Sequence, residues 1–175
     1  MDKFQRLSLI NQFELLAKFD DQNRSYYERK IEILREGYEY LYNDEIWKEL
    51  SDPLPEKDSR FVLDVLSMYR DINFSKSELN LTDNKIIKSH ATYFRGFDYN
   101  DPKEIKLAYY AKFFIEKLDR FPELVEDKEF DGFNSHQPMI STYNKYLSNY
   151  KEVKNYLNYQ FGKLSVDLIN KILGE

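Results

Sequence analysis

A chain of 175 residues without cysteine has the length of one domain, which can bury roughly 70% of its unfolded surface, and it excludes disulfides, thiolate metal sites and a cysteine nucleophile. With 26 Lys+Arg against 31 Asp+Glu, a formal net charge of −5, it has no global attraction for nucleic acid or anionic membrane. The polar start Met1-Asp2-Lys3-Phe4-Gln5-Arg6 and the want of any run near the ~20 apolar residues of a membrane span lead to the expectation of a soluble, cytoplasmic protein.

Helix-period patterns dominate and no sustained alternation of period two is present, so the fold class is all-α, a compact multi-helix bundle expected as a single domain over residues 1–175. The first helix is expected from about Gln5 to Phe19, with Leu9, Phe13 and Leu16 on one track and Ile10 beside it. Ser25-Tyr26-Tyr27-Glu28 has the spacing of a capping box, so a second helix is expected to start there. Tyr27, Ile31, Leu34, Tyr38 and Leu41 would form its buried stripe, and Glu28, Glu32 and Glu36 would interleave with Arg29, Lys30 and Arg35 on a solvated face. Trp47 lies in a short amphipathic stretch before the helix-stopping Pro53 and Pro55. From Ser59 to about Ile72 few positions are polar, which predicts an enclosed central helix.

The stretch from Asn73 to His90 is polar and weakly periodic, read as short helix and loop. Two polar-aromatic interruptions follow, Phe94-Arg95-Gly96-Phe97-Asp98 and Gly132-Phe133-Asn134-Ser135-His136-Gln137-Pro138-Met139. Each crowds a glycine, large apolar groups and hydrogen-bonding side chains into a few positions, which predicts packed turns rather than solvated loops. Between them, Asp101-Pro102-Lys103-Glu104 is a helix start with Asp as the cap and Pro at the first helical position. That helix runs through Ile105, Ala108, Tyr109, Lys112 and Phe113 to Leu118 and closes at Phe121-Pro122. An acidic patch, Glu123 to Asp131, leads to a helix opened by Pro138, with Met139, Tyr143, Tyr146 and Tyr150 on one side and Val153, Leu157 and Phe161 on the same track. Ser165 caps a last amphipathic segment with Leu168, Ile169, Ile172 and Leu173, and Gly174 ends it.

The motifs of chemistry are thin. The two histidines, His90 and His136, are too far apart for a helical zinc pair, and the five glycines stand singly, which disfavours phosphate-binding loops, dinucleotide fingerprints and nucleophile elbows. No catalytic residue, metal site or cofactor is expected. Asp64, read as a charge in an enclosed helix, is either a functional acid or a structural group bonded to a Tyr hydroxyl or to an arginine such as Arg6, Arg35 or Arg95. Arg6, Asn11, Gln12, Asp64, Arg95, Asp98, Asn134 and His136 are the candidates for contact with a ligand or partner. From Tyr143 to Lys163, five Tyr alternate with four Lys, a mixture that binds single-stranded nucleic acid by stacking and phosphate contact. Tyr146, Lys151 and Lys154 are its candidates, although the same rings fit a buried stripe.

Along nearly the whole chain these residues resemble the YfbU family. Gln5-Arg6-Leu7 with Asn11-Gln12 is similar to its opening helix, and Tyr27 with Arg35-Glu36-Gly37-Tyr38 to the end of its second. Asp64 with Met68-Tyr69 is similar to its enclosed helix, and Gly96-Phe97-Asp98 with Gly132-Phe133-Asn134, Pro138-Met139 and Tyr143 to its two turn motifs. Tyr42 to Pro55 is poorly matched, His90 has no counterpart, and His136 replaces another polar residue, so the resemblance supports no catalytic histidine. It implies a compact helical bacterial cytosolic protein of unassigned activity.

Fifteen Tyr and 13 Phe are a large supply of rings for one core, and they suit interfaces with a wet and an apolar side. The leading expectation is a non-catalytic module that self-associates as a homo-oligomer or docks a protein partner. The alternatives are a phosphate- or nucleotide-binding protein or enzyme with an Arg/Asn/Asp pocket, and local binding of RNA or single-stranded DNA.

Overall fold

The computed structural model describes residues 1–79, 87, 92–126, 130–156 and 160–174, with the side chain of Tyr156 left aside. The chain is all-α: α1 (Lys3–Phe19), α2 (Arg24–Glu36), α3 (Glu56–Glu78), α4 (Glu104–Lys112), α5 (Ile140–Tyr156) and α6 (Val166–Leu173), with π-helical turns at Tyr42–Ile46 and Phe113–Lys117. No strand occurs among the described residues, where an isolated parallel bridge joins Phe97 to Asn134. The chain divides into two compact units, Met1–Pro53 and Leu54–Glu175.

In the first unit α1 begins two residues earlier than expected. The Asp2 carboxylate accepts from the Gln5 amide at 2.8 Å while the Gln5 side chain accepts from the Asp2 amide at 3.0 Å, a reciprocal cap that satisfies two otherwise orphaned donors. The capping box expected at Ser25 does not form. Asp20 caps a 3₁₀ turn over Asp21–Asn23, and α2 continues from it with Arg24 already helical, so Ser25 lies inside the helix. Gly37, at φ 75°, ends α2. Its left-handed turn breaks the helical period, which leaves Tyr38 half exposed at 49% rather than on the buried stripe.

The core of this unit comprises Ile10, Ile31, Ile33, Leu34 and Tyr42, with Leu9, Phe13, Leu41, Ile46 and Trp47 packed against it. Lys30, expected on a solvated face, is buried. Its ammonium donates to the Glu45 carbonyl and lies 4.5 Å from the Tyr26 ring centroid, which replaces its lost hydration.

In the second unit α3 is longer than expected, and it is not enclosed all round. Val62, Val65, Leu66, Met68, Tyr69 and Ile72 are buried, whereas Arg60, Asp64 and Ser67 form an exposed strip at intervals of four and three. Asp64 is therefore exposed, contrary to the expectation of an enclosed charge. The strip goes under cover one turn later, at Asp71. Tyr69, Phe94, Phe97 and Tyr143 meet ring to ring at the centre, with centroids 5.4 to 6.2 Å apart, the separation at which edge-to-face pairs are favourable.

The Asp101 carboxylate accepts the Lys103 and Glu104 amides at 2.8 Å each and so holds the turn that leads into α4, but the helix starts at Glu104, and Pro102 lies before it rather than at its first position. The Ser165 hydroxyl caps α6 by accepting from the Leu168 amide at 3.4 Å, and Gly174 ends it at φ 79°. Phe121, at φ 59°, turns the chain out of the second π-helical segment, and Pro122 opens a 3₁₀ turn. His90 and most of the polar stretch around it lie outside the described residues, as do residues 127–129 of the acidic patch.

Candidate functional site

The two turn motifs come together in the second unit. The Phe97 amide donates to the Phe133 carbonyl at 2.9 Å and the Ser135 amide to the Phe97 carbonyl at 3.1 Å, so the motifs are hydrogen-bonded side by side. Gly96 permits this approach: it has φ 77°, and a Cβ there would lie 2.0 Å from the Phe133 carbonyl oxygen. The Tyr143 hydroxyl, from α5, donates to the Gly96 carbonyl at 2.9 Å and accepts from the Arg95 amide at 3.3 Å.

The polar candidates in these motifs are taken up by backbone. Asn134 accepts from the Tyr99 and His136 amides at 3.1 Å each through one oxygen, and its amide nitrogen meets the His136 ring at 3.2 Å. Asp98 accepts from the backbone and side-chain nitrogens of Asn100 at 2.9 and 3.0 Å. His136 is exposed and held at φ 55°. Arg95 is half-buried beside Tyr143. The structure thus gathers Asp98, Asn134 and His136 around a pair of turns, with hydrogen bonds that close the turns rather than converge on an empty space.

Beneath them sits Glu104, 2% exposed. Its carboxylate accepts from the Asp98 amide at 2.9 Å, from the Met139 amide at 2.8 and 3.0 Å and from the Ile140 amide at 2.9 Å. One acid therefore ties the first motif to the start of α5 and satisfies the orphan donors of that helix. The sequence pointed to Glu104 only as part of a helix start; its long-range partners leave no local signal. A helix N-terminus so occupied offers no anion site, although Lys57 and Lys103 line a hollow of about 210 Å³ nearby.

Asp71 is the second acid missed by the sequence reading. It is fully buried and accepts from the Tyr150 hydroxyl at 2.8 Å and from the Gly162 amide at 2.6 Å. Burial raises its pKa above the usual carboxylate value, against the lowering effect of those two bonds. The neighbouring Ser75 hydroxyl donates to the Asp71 carbonyl at 2.7 Å and accepts from the Leu164 amide at 3.0 Å. Burial also pushes the Tyr69 and Tyr143 hydroxyls upward, so both stay protonated at neutral pH. These groups are buried.

The proposed nucleic-acid strip on α5 faces inward at its rings. Tyr143 and Tyr150 are buried and Tyr146 is half-buried against the core, while Lys151 is exposed and the Lys154 ammonium lies 5.1 Å from the Tyr150 ring centroid. Residues 157–159 of the strip lie outside the described residues. Among the described residues no group of three or more His, Asp or Glu is arranged to hold a metal ion, and no helix is long and apolar enough to cross a membrane.

The first unit offers a different kind of surface. Arg6 points inward and donates to the Leu34 carbonyl at 3.3 Å, at the end of α2 where a cation is favoured. Asn11 and Gln12 are exposed. Around them Phe4, Leu7, Leu15, Leu16 and Phe19 are between 45% and 87% exposed. Met1, Phe4, Gln5, Ser8, Leu9 and Trp47 line an open groove of about 540 Å³.

The description YfbU domain belongs to a family model that matches residues 1–174. The chain is also similar to the UPF0304 protein MJECS11 of Methanocaldococcus jannaschii, with 40% identity over 146 residues, 83% of this chain and 84% of that protein.

Proposed function

The chain belongs to the YfbU family, and we propose that it acts as a non-catalytic helical interaction module, which associates with itself or docks a protein partner. One contrast carries this reading. The buried acids Glu104 and Asp71 accept hydrogen bonds from backbone amides, while Phe4, Phe19, Tyr40 and Leu50 of the first unit are 69% to 91% exposed. Polar groups engaged in closing turns leave little for catalysis, whereas the side of α1 that carries Phe4, Leu15 and Phe19 is apolar and open, the kind of surface that a partner covers. That side differs from the Tyr-rich faces that the sequence suggested, since Tyr143 and Tyr150 belong to the core.

Native mass spectrometry on gently purified protein tests the reading. The expected result is a mass equal to more than one chain, or to the chain with a bound protein. A single chain carrying a discrete small molecule would instead favour a ligand-binding protein, and a nucleic-acid mass would favour the Tyr146, Lys151 and Lys154 strip.

A further inference from the structure

We propose that α1 is the dimerisation helix and that it pairs antiparallel with α1 of a second copy, each Phe19 seated in the groove beside the other copy's Phe4. This rests on the interaction-module reading and names its partner. The first observation is a groove at one end of the helix. Phe4, Gln5, Ser8 and Leu9 of α1 line it together with Met1, which precedes the helix, and with Trp47. Its open, largely apolar lining suits an aromatic side chain of a facing helix.

The second observation is the knob. Phe19, 87% exposed, lies at the opposite end of the 17-residue helix. It follows Phe4, Ser8, Gln12 and Leu15 at steps of four, four, three and four, so knob and groove share one side of α1. A groove at one end and a knob at the other, on the same side, is the geometry an antiparallel two-fold pair requires, because each copy then supplies both.

The side of α1 that carries Phe4, Ser8, Leu15 and Phe19 also has a centre. Inverting the order about the midpoint between Asn11 and Gln12 maps Phe4 onto Phe19 and Ser8 onto Leu15, all on that side of the helix. The amides of Asn11 and Gln12 fall at the axis, where uncharged polar groups can fix register. Phe4, Gln5, Ser8, Gln12, Leu15, Leu16 and Phe19 carry no charge, so two chains of net charge −5 meet there without opposing like charges. An apolar partner of arbitrary shape would not need this symmetry.

Sedimentation of the full chain over a concentration series, with two variants, tests the proposal. Wild type is expected to be dimeric, and Phe19→Asp to weaken association at least tenfold with an unchanged circular dichroism spectrum and melt. Gln12→Cys, in a chain with no other cysteine, is expected to form a disulfide-linked dimer on mild oxidation, whereas Glu32→Cys on the exposed face of α2 is not. A wild type that stays monomeric at roughly 100 μM, where even a weak pair forms, overturns the proposal. So does a dimer that survives Phe19→Asp and gives no Gln12→Cys cross-link, an outcome that leaves the interaction-module reading standing. A monomer that retains a small molecule and captures no protein overturns both.

Discussion

Two acids with similar burial have different duties, and their substitutions should separate them. Glu104 accepts from the amides of Asp98, Met139 and Ile140, so it holds three elements through one carboxylate. Replacing it by Gln leaves one oxygen for these donors and turns an amide nitrogen towards others. Loss of charge-assisted bonds in a buried site costs about 2–3 kcal/mol, and urea unfolding of Glu104→Gln should show a drop of that size. An unchanged midpoint and slope would mean that Glu104 does not hold the turns.

Asp71 has a raised pKa, with burial as the main cause. In the window between the ordinary value of 3.8 and the raised folded one, the native state holds the proton more tightly than the unfolded chain. Its contribution to stability is thus fully present below 3.8 and falls as pH rises through the folded value. Asn keeps an acceptor for the Gly162 amide but does not titrate. The stability deficit of Asp71→Asn relative to wild type should therefore be smallest at neutral pH and widen as pH is lowered towards 3.8. A deficit that narrows on acidification would show that the ionised form is the one the fold favours.

Among the elements, the joined turn motifs depend on one close approach. At Gly96 an added Cβ meets the Phe133 carbonyl at 2.0 Å, and at Gly132, φ 118°, it meets nothing within 4 Å. Both alanine variants carry backbone strain, commonly about 1–3 kcal/mol, but Gly96→Ala must also separate the motifs and break the Phe97–Phe133 bond. Thermal melts should rank Gly96→Ala well below Gly132→Ala. Equal losses would mean that the clash is relieved without opening the turns.

The helices themselves were largely legible because their signals are local. Ser165 caps as its type predicts, Asp101 holds the turn just before α4, and Ile31, Leu34, Val65 and Leu66 fall on buried faces by period alone. Where local signals competed, the stronger cap upstream won, as Asp20 did over Ser25. Where a turn interrupted the period, as Gly37 did before Tyr38, extrapolating the stripe failed.

At the scale of the whole molecule, each unit has its own apolar cluster, Ile10 to Tyr42 in residues 1–53 and Val62 to Leu173 in residues 54–175. The second cluster is large enough for independent stability, and a fragment of residues 54–175 should melt cooperatively. Residues 1–53 have a core of five buried side chains, and a fragment of that length is near the size at which a single core becomes marginal. If α1 pairs with its copy, the fragment's helix content should rise with concentration by mass action, and Phe19→Asp should remove that dependence. Helix content independent of concentration would mean that the unit's own core suffices.

The sequence by itself determined the class, the approximate place of each long helix and the turn motifs, because caps, breakers and helical periods act within a few residues. The tertiary structure decided which polar groups are covered and which apolar ones are not. Asp64 and Asp71 are both acids on one track of α3, and only packing over the last turns buries the second. Asn134 and Asp98 stand out in the sequence as ligand-binding candidates, and folding bonds both to backbone amides of the turns, while the exposure of Phe4 and Phe19 has no signal in the helical period. Burial depends on what folds back over a surface from far along the chain, which no local pattern records.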